Sequence, residues 1–402
     1  ADCLHCEINQ LVQQRFDGEV WAKPSQVYAR PLELYAGLKI TPQQLERELQ
    51  LAGNRPRQQL TAEGQYLRRN NRIDLYNRRF QFSDDIQPAT QIGIVFREGA
   101  IASITNLQNH QPVEFFRLSP ALIGSYLPGN GENRLVITAD EIPDQLRRIL
   151  LAVEDRAFEN HWGINPSSIA RALIANIRAG KAVQGGSTLT QQLARNLFLT
   201  PEKSLVRKVD EAMLSLLLEF RYDKNTILTA YINEVFLLQH RNTSVHGFAL
   251  ASQLLYKKSL SELSTDELAL LVGMVKGPSL YNPLLRPLNA RNRRNQVLDI
   301  LLDVGHINAD RHRALRQKPL GVVKKLPPVN RYPAYLDLVK KQLRSAYSAD
   351  DLQRKGLKIF TAFNPTRQLD LEQGLANGLK RFDDQTIQTG VVLADYLNGD
   401  IV

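Results

Sequence analysis

The spacing of apolar and polar positions changes character at Thr138. Before it, short apolar runs broken by turn formers predict a small α+β unit over residues 20–116. Residues 27–35 read as a strand. Thr41 opens a helix, with Pro42 at its first position and Gln44 completing a capping box, and the helix ends near Gly53. Residues 65–69 and 72–76 flank Asn70-Asn71 as one tight hairpin; residues 92–96 and 100–104 flank Glu98-Gly99 as another. A connector follows over 115–137, with a loop at Pro128-Gly129-Asn130-Gly131.

From Thr138 the pattern is helical. Thr138 to Glu141 form a capping box, and Ile142, Leu146, Ile149, Leu150 and Val153 make one apolar stripe. Glu154 lies roughly 80° round from Leu146 at about 100° per residue, at the border of that stripe. Residues 165–200 read as helix, loop, helix, with Ser187 or Thr188 as the second N-cap. A helix over 204–221 places Val209, Ala212, Met213, Leu216 and Phe220 on one face, with Glu211 on another, three and four residues after Lys208 and Arg207. Leu214, Leu217 and Leu218 leave that helix apolar nearly all round, which predicts burial. Further helices fill 224–300, with loops at 239–246 and 276–287; a basic helical stretch over 300–350 breaks at Pro327-Pro328. A strand at 357–363 and a helix at 364–381 follow. Residues 390–395 read as a strand entering a sheet that does not follow, and residues 1–19 as a polar helix carrying Ile8, Leu11, Val12 and Phe16.

The chain has 402 residues, enough for two or three domains, and 43% hydrophobic with 23% charged residues is ordinary for a folded protein. A net charge of +10 suits nucleic acid, an anionic membrane surface or a phosphorylated substrate. No nucleic-acid motif occurs, so a nucleic-acid partner is not expected. Cys3 and Cys6 stand without a second ligand pair, so no zinc site is expected. No run of about 18 apolar residues is present, no signal peptide is visible and the first residue is Ala1. Both ends look trimmed, and the expectation is a piece of a longer protein.

The positive charge is concentrated. Between residues 171 and 208 stand seven cations (Arg171, Arg178, Lys181, Arg195, Lys203, Arg207, Lys208) against one anion, Glu202. Glu154 and Glu211 bracket this segment. Two carboxylates around a cationic floor suit glycosyl transfer from a phosphorylated donor: one carboxylate takes a proton from an attacking hydroxyl, and Arg and Lys hold the departing phosphates. Gln184, Ser187, Thr188, Gln192, Arg195 and Asn196 would surround a pyrophosphate and its sugar at a helix N-terminus. From the residues alone, Glu211 also reads as part of an exposed ion-pair face, and Thr188 and Gln192 as ordinary polar helix residues.

Five blocks carry a resemblance. They are Glu154-Asp155-Arg156-Ala157-Phe158 with His161-Trp162-Gly163; Gln184-Gly185-Gly186-Ser187-Thr188 through Gln191-Gln192 to Arg195-Asn196; Arg207-Lys208-Val209-Asp210-Glu211; Ile227 to Phe236; and Lys276-Gly277-Pro278-Ser279 with Arg293-Arg294-Asn295. In this order they resemble the signature motifs of the family 51 glycosyltransferases, the peptidoglycan polymerases of class A penicillin-binding proteins. Thr229 stands where the fourth motif usually has Glu, Leu238 where Gly usually follows, Pro278 in place of a common Ala, and Arg195 where Lys also occurs. Trp21 to Arg30 resembles the 1b type more loosely.

The resemblance implies a multidomain α+β protein: a juxtamembrane segment (1–19), a small UvrB-domain-2-like α/β docking module (20–116), a mainly α-helical, lysozyme-like glycosyltransferase domain (117–310), a linker (311–386) and the start of a transpeptidase domain (387–402). It implies lipid II and the growing glycan strand as substrates and inversion at the anomeric carbon. Glu154 would be the general base and Glu211 the second acidic residue. Asp155, Arg156, His161, Arg171, Gln184, Ser187, Thr188, Gln192, Arg195, Asn196, Arg207 and Lys208 would bind substrate. It implies no fixed cofactor and no metal residue; a divalent Mg or Mn ion could serve at the pyrophosphate. Partners would be an outer-membrane lipoprotein activator at residues 20–116, the division or elongation machinery, and the membrane, with a single-pass anchor in the inner membrane and catalytic domains in the periplasm. Ile164, Ile169, Leu173, Ile177, Leu197, Phe198 and Leu199 would face lipid, among Arg171, Arg178 and Lys181; an amphipathic core helix is the alternative. The sequence contains neither Ser-x-x-Lys nor Lys-Thr-Gly, so this stretch should not acylate β-lactams. A glycan-cleaving enzyme on the same fold and a non-catalytic cell-wall docking protein are the rival readings.

Overall fold

The computed structural model describes residues 12, 16, 24–126, 132–180, 185–200, 202, 204–240, 243–326, 330–381, 389–397 and 399–401, without the side chains of 132, 133, 173, 175, 176, 179, 205, 240, 243 and 350. Cys3, Cys6, Trp21, the 128–131 loop, Lys181, Gln184 and Pro327-Pro328 lie outside the described residues, as does most of 1–19. Two compact units form, and each takes separated stretches of chain: 25–126, 329–347 and 357–402 in one, 1–24, 127–328 and 348–356 in the other.

In the first unit, the stretch expected as one strand over 27–35 is two, β1 (Ser25–Tyr28) and β2 (Glu33–Tyr35), in different sheets. Pro31 between them has no N–H to give a ladder. Helix α1 (Pro42–Leu51) starts as expected: Gln44 N–H donates to Thr41 Oγ1, and Thr41 N–H to Gln44 Oε1. Its Leu45 and Leu49 share a core with Tyr66, Ile73, Leu75, Ile92 and Ile94 of a five-stranded sheet. That sheet runs β3 (Arg55–Pro56), β4 (Gln65–Arg69), β5 (Arg72–Asn77), β8 (Thr90–Arg97), β9 (Ala100–Asn106); β6 (Phe80–Gln81) and β7 (Ile86–Gln87) pair separately. Both expected hairpins form, with Arg69 opposite Arg72 and Arg97 opposite Ala100. Their turns place Asn70, Glu98 and Gly99 at φ 40°, 53° and 76°, the left-handed backbone that tight hairpin turns require. β2 pairs with β10 (Phe115–Arg117). β1 pairs antiparallel with β11 (Leu122–Tyr126) and parallel with β15 (Lys358–Phe360), more than 300 residues away in sequence. Residues 390–395 form no strand; only an isolated bridge joins Ala394 to Ile401.

The second unit is mainly helical. Its capping box at Thr138 opens a one-turn 3-10 helix, Ala139–Glu141, and Pro143 then caps α2 (Asp144–Glu154). The break follows from proline, which begins a helix but does not continue one. α3 (Pro166–Ala179), α4 (Leu189–Phe198), α5 (Leu205–Arg221) and α6 (Lys224–Glu234) follow. The expected loop at 239–246 is instead a hairpin, β13 (Phe236–His240) with β14 (Thr243–His246), to which β12 (Glu132–Arg134) adds in parallel. α7 (Phe248–Tyr256), α8 (Thr265–Val275), α9 (Pro287–Asp303) and α10 (Ala309–Gln317) complete the body. Leu146, Ile149 and Leu150 of α2, Leu189 and Leu193 of α4, and residues 227–232 of α6 form one core with α8 and α9. Val12 and Phe16 are buried in it, Phe16 stacking on Tyr222 at 4.0 Å.

Candidate active site

Glu154 is the last residue of α2 and half-buried. Its Oε2 accepts from Gln192 Nε2 at 3.2 Å. Gln192 is held at its other end: Tyr231 Oη donates to its Oε1 at 3.0 Å. Burial raises the Glu154 pKa; the Gln192 hydrogen bond and the charges of Arg293 and Lys276 oppose the rise, and Asp155 adds to it. A carboxyl so placed is a stronger base than a solvated one when ionised.

Asp155 turns the other way. Its Oδ2 accepts from the backbone N–H of Leu189, the first residue of α4, at 3.0 Å, and lies 2.9 Å from His161 Nε2. Asp155 and His161 are both buried. In this arrangement they hold the start of α4, where a carboxylate also meets the positive end of the helix dipole. Thr188 caps the same helix, with Gln191 N–H donating to Thr188 Oγ1 and Thr188 N–H to Gln191 Oε1, while Thr188 Oγ1 donates to Gly163 O at 2.5 Å. Gly163 has φ 73°, and a Cβ there would stand 2.6 Å from the Ser215 carbonyl oxygen. Only glycine lets this loop pass directly against α5.

The second acidic residue is fully buried on α5. Lys208 Nζ donates to Glu211 Oε1 at 2.7 Å and to Ser187 Oγ at 2.9 Å. Arg207 lies 3.8 Å from Glu211 Oε2, which accepts no hydrogen bond among the described residues. Ser187 and Gln192 thus tie both acidic residues to one short stretch of chain at the start of α4. Below this layer, Glu219 accepts from Thr190 Oγ1 at 2.6 Å and from Lys224 Nζ at 2.8 Å, and Lys224 also donates to the His161 carbonyl.

Of the remaining expected substrate residues, Arg156, Arg171 and Asn196 are exposed, and Arg195 is half-buried, close enough for its charge to act on the Tyr231 phenol. Arg156 Nε donates to the Ala152 carbonyl and Arg171 to Ser168 Oγ. The sequence reading assigned no role to Tyr231, Lys276 or Arg293, which the fold brings to Glu154 or to its Gln192 partner. All three lie inside the fourth and fifth motif blocks, the one signal that could have marked them. No group of three His, Cys, Asp or Glu side chains among the described residues could hold a metal ion. Glu211 is already matched by two cations.

The apolar face expected to bury α5 is exposed instead: Val209 is 59% accessible, Met213 59% and Phe220 81%. The buried side carries Glu211, Ser215, Leu218 and Glu219. On α3, Ile169, Ile174 and Ile177 are exposed beside Arg171 and Arg178, whereas Leu197 on α4 is buried and Ile164, Phe198 and Leu199 are half-buried. None of the described helices is long and apolar enough to cross a membrane.

Residues 120–302 match the Transglycosylase family, and residues 34–118 match the Bifunctional transglycosylase second domain. Penicillin-binding protein 1B of Vibrio cholerae is 37% identical over 98% of this chain and 51% of its own length. The proteins of that name from Haemophilus influenzae and Escherichia coli are 38% and 37% identical, over 97% and 98% of this chain and 50% and 47% of theirs. The chain spans about half the length of these curated relatives. The chain belongs to the transglycosylase family related to penicillin-binding protein 1B, with the second domain of that family over residues 34–118 followed by the transglycosylase domain over residues 120–302.

Proposed function

We propose that the helical unit polymerises lipid II into glycan strands for the bacterial cell wall. One observation carries this: a carboxylate of raised pKa, Glu154, is joined through the start of α4 to a buried carboxylate that holds two cations, Glu211 with Lys208 and Arg207. Glu154 takes the proton of the acceptor 4-hydroxyl as that oxygen attacks the anomeric carbon of the donor. The bond from that carbon to the lipid pyrophosphate breaks, with inversion. Arg195, Arg207 and Lys208 meet the charge that develops on the leaving group. Glu211 keeps Arg207 and Lys208 in place for it. The catalysis asks no redox or group-carrier chemistry of a cofactor; a divalent ion, where present, would travel with the pyrophosphate.

The lipid donor brings the site to a membrane surface. The exposed apolar stripes of α3 and α5, with Arg171 and Arg178 beside the first, support contact with the outer face of an anionic inner membrane. The match of residues 34–118 to the Bifunctional transglycosylase second domain supports a docking role for this unit, for a lipoprotein activator or the division or elongation machinery. The full-length protein would add DD-transpeptidase activity.

Turnover of fluorescent lipid II in detergent, comparing the wild-type chain with Glu154→Gln, tests the reading. Polymer from the first and none from the second is the expected result; equal polymer from both would remove Glu154 as the base.

A further inference from the structure

We propose that Tyr231 is a positioning residue that sets the orientation of the Gln192 carboxamide and, through it, the protonation and aim of Glu154. This deepens the reading of Glu154 as general base and rests on it. Three helices meet in one relay. Tyr231 on α6 donates its O–H to Gln192 Oε1 on α4 at 3.0 Å, and Gln192 Nε2 donates to Glu154 Oε2 at the end of α2 at 3.2 Å.

The two ends of a glutamine amide have nearly the same shape, so partners alone decide which end faces which way. An ionised carboxylate only accepts. Gln192 must therefore present Nε2 to Glu154, and its Oε1 needs a donor. Tyr231 is fully buried in the core, where a phenol must find a partner of its own. Its O–H is that donor, and it disfavours the flipped amide, which would set an acceptor against the Glu154 oxygen. Glu154 Oε1 has no donor among the described residues, so the relay leaves one oxygen to receive a substrate proton.

The groups facing Glu154 are Arg293 on α9, Lys276 after α8 and the adjacent Asp155; Arg195, one turn beyond Gln192, acts on the phenol. None is altered by Tyr231→Phe, which also keeps the ring that packs in the core. Only the relay is removed.

The test uses the 402-residue chain as wild type, Tyr231→Phe, Gln192→Met and the double variant. The Glu154 carboxyl is titrated by 13C NMR and assigned by its loss in Glu154→Gln. Tyr231→Phe should move the Glu154 titration to higher pH, Gln192→Met should move it at least as far, and the double variant should match Gln192→Met alone. In lipid II turnover by Tyr231→Phe the acid limb should move in the same direction, with activity at its low-pH end falling about tenfold, the worth of one hydrogen bond to a charged group, and with KM unchanged. An unmoved titration overturns the proposal, even if Tm and turnover fall, because that outcome describes packing. An equal shift in the Gln192→Met background also overturns it, because the effect then bypasses Gln192. Should Glu154→Gln polymerise lipid II as well as wild type, the base assignment fails, and the titration still decides the relay.

Discussion

Lys208 Nζ stands 2.7 Å from Glu211 Oε1, and the two side chains are unequally placed: Lys208 is 47% accessible and Glu211 1%. The lysine can swing towards an incoming anion, and the carboxylate cannot follow. On the proposed reading, Glu211 is a fixed counter-charge for Lys208 and Arg207. Removing the lysine strands a buried carboxylate. Lys208→Met should destabilise the helical unit by about 1–3 kcal/mol, and adding Glu211→Gln should return part of that loss. Urea unfolding of the single and double variants checks this; strictly additive effects would refute the coupling.

Glu154→Gln should separate activity from stability. Its carboxyl pKa is raised in the folded protein, so the fold favours the protonated form. Ionisation therefore costs stability as pH rises from the unfolded pKa through the folded one, and the loss stays constant above it. A neutral amide escapes that loss. The variant should melt higher than wild type at pH 7.5, and the two should converge below about pH 4, while turnover falls by at least ~10²-fold. A wild type that melts higher at pH 7.5 would contradict the buried-carboxyl account.

Gly163→Ala and Gly180→Ala make a contrast. Both glycines have positive φ, 73° and 63°, but a Cβ at Gly163 meets the Ser215 backbone and one at Gly180 meets nothing within 4 Å. Gly180→Ala should cost about 1 kcal/mol from backbone strain alone. Gly163→Ala should cost at least about twice that and lower turnover, because the loop carrying His161 must move off α5. Equal melting temperatures would show that the loop yields freely.

Liposome flotation tests the exposed stripes. Ile177→Asp on α3 and Phe220→Asp on α5, 70% and 81% accessible, should each weaken binding to anionic vesicles while leaving the melting temperature within about 2 °C, as surface changes do. Binding unchanged in both variants would place the lipid contact elsewhere.

Arg195→Ala should lower turnover by about 10²–10³, the loss seen when one donor to a developing negative charge is removed, with little change in unfolding free energy. A similar turnover would move the pyrophosphate away from α4.

Much of the local structure was legible in the residues because its causes are local. The Thr41 capping box, the Asn70-Asn71 and Glu98-Gly99 turns and the stripe from Ile142 to Leu150 involve side chains a few positions apart. Where expectations failed, a partner far away in sequence had intervened. Residues 239–246, read as a loop, belong to a hairpin of β13 and β14 that β12 extends in parallel, a partner more than 100 residues away in sequence. The face of α5 was misassigned because apolar spacing reports that a stripe exists, and Val209 to Phe220 form one; it does not report whether protein or something else covers it.

The site divides along the same line. Glu154, Glu211 and the cations near them could be named from the sequence, since motif order and charge are properties of the chain itself. Which of them face one another could not. Asp155 follows Glu154 directly, yet it turns to the start of α4 and to His161, while Glu154 meets Gln192 thirty-eight residues on and, through it, Tyr231 thirty-nine further. Those distances close only when α2, α4 and α6 pack into one core. The sequence by itself determined the chemistry available; the packing of those helices decided which groups are buried, paired and aimed, because desolvation and hydrogen-bond geometry arise from neighbours that the chain brings together only on folding.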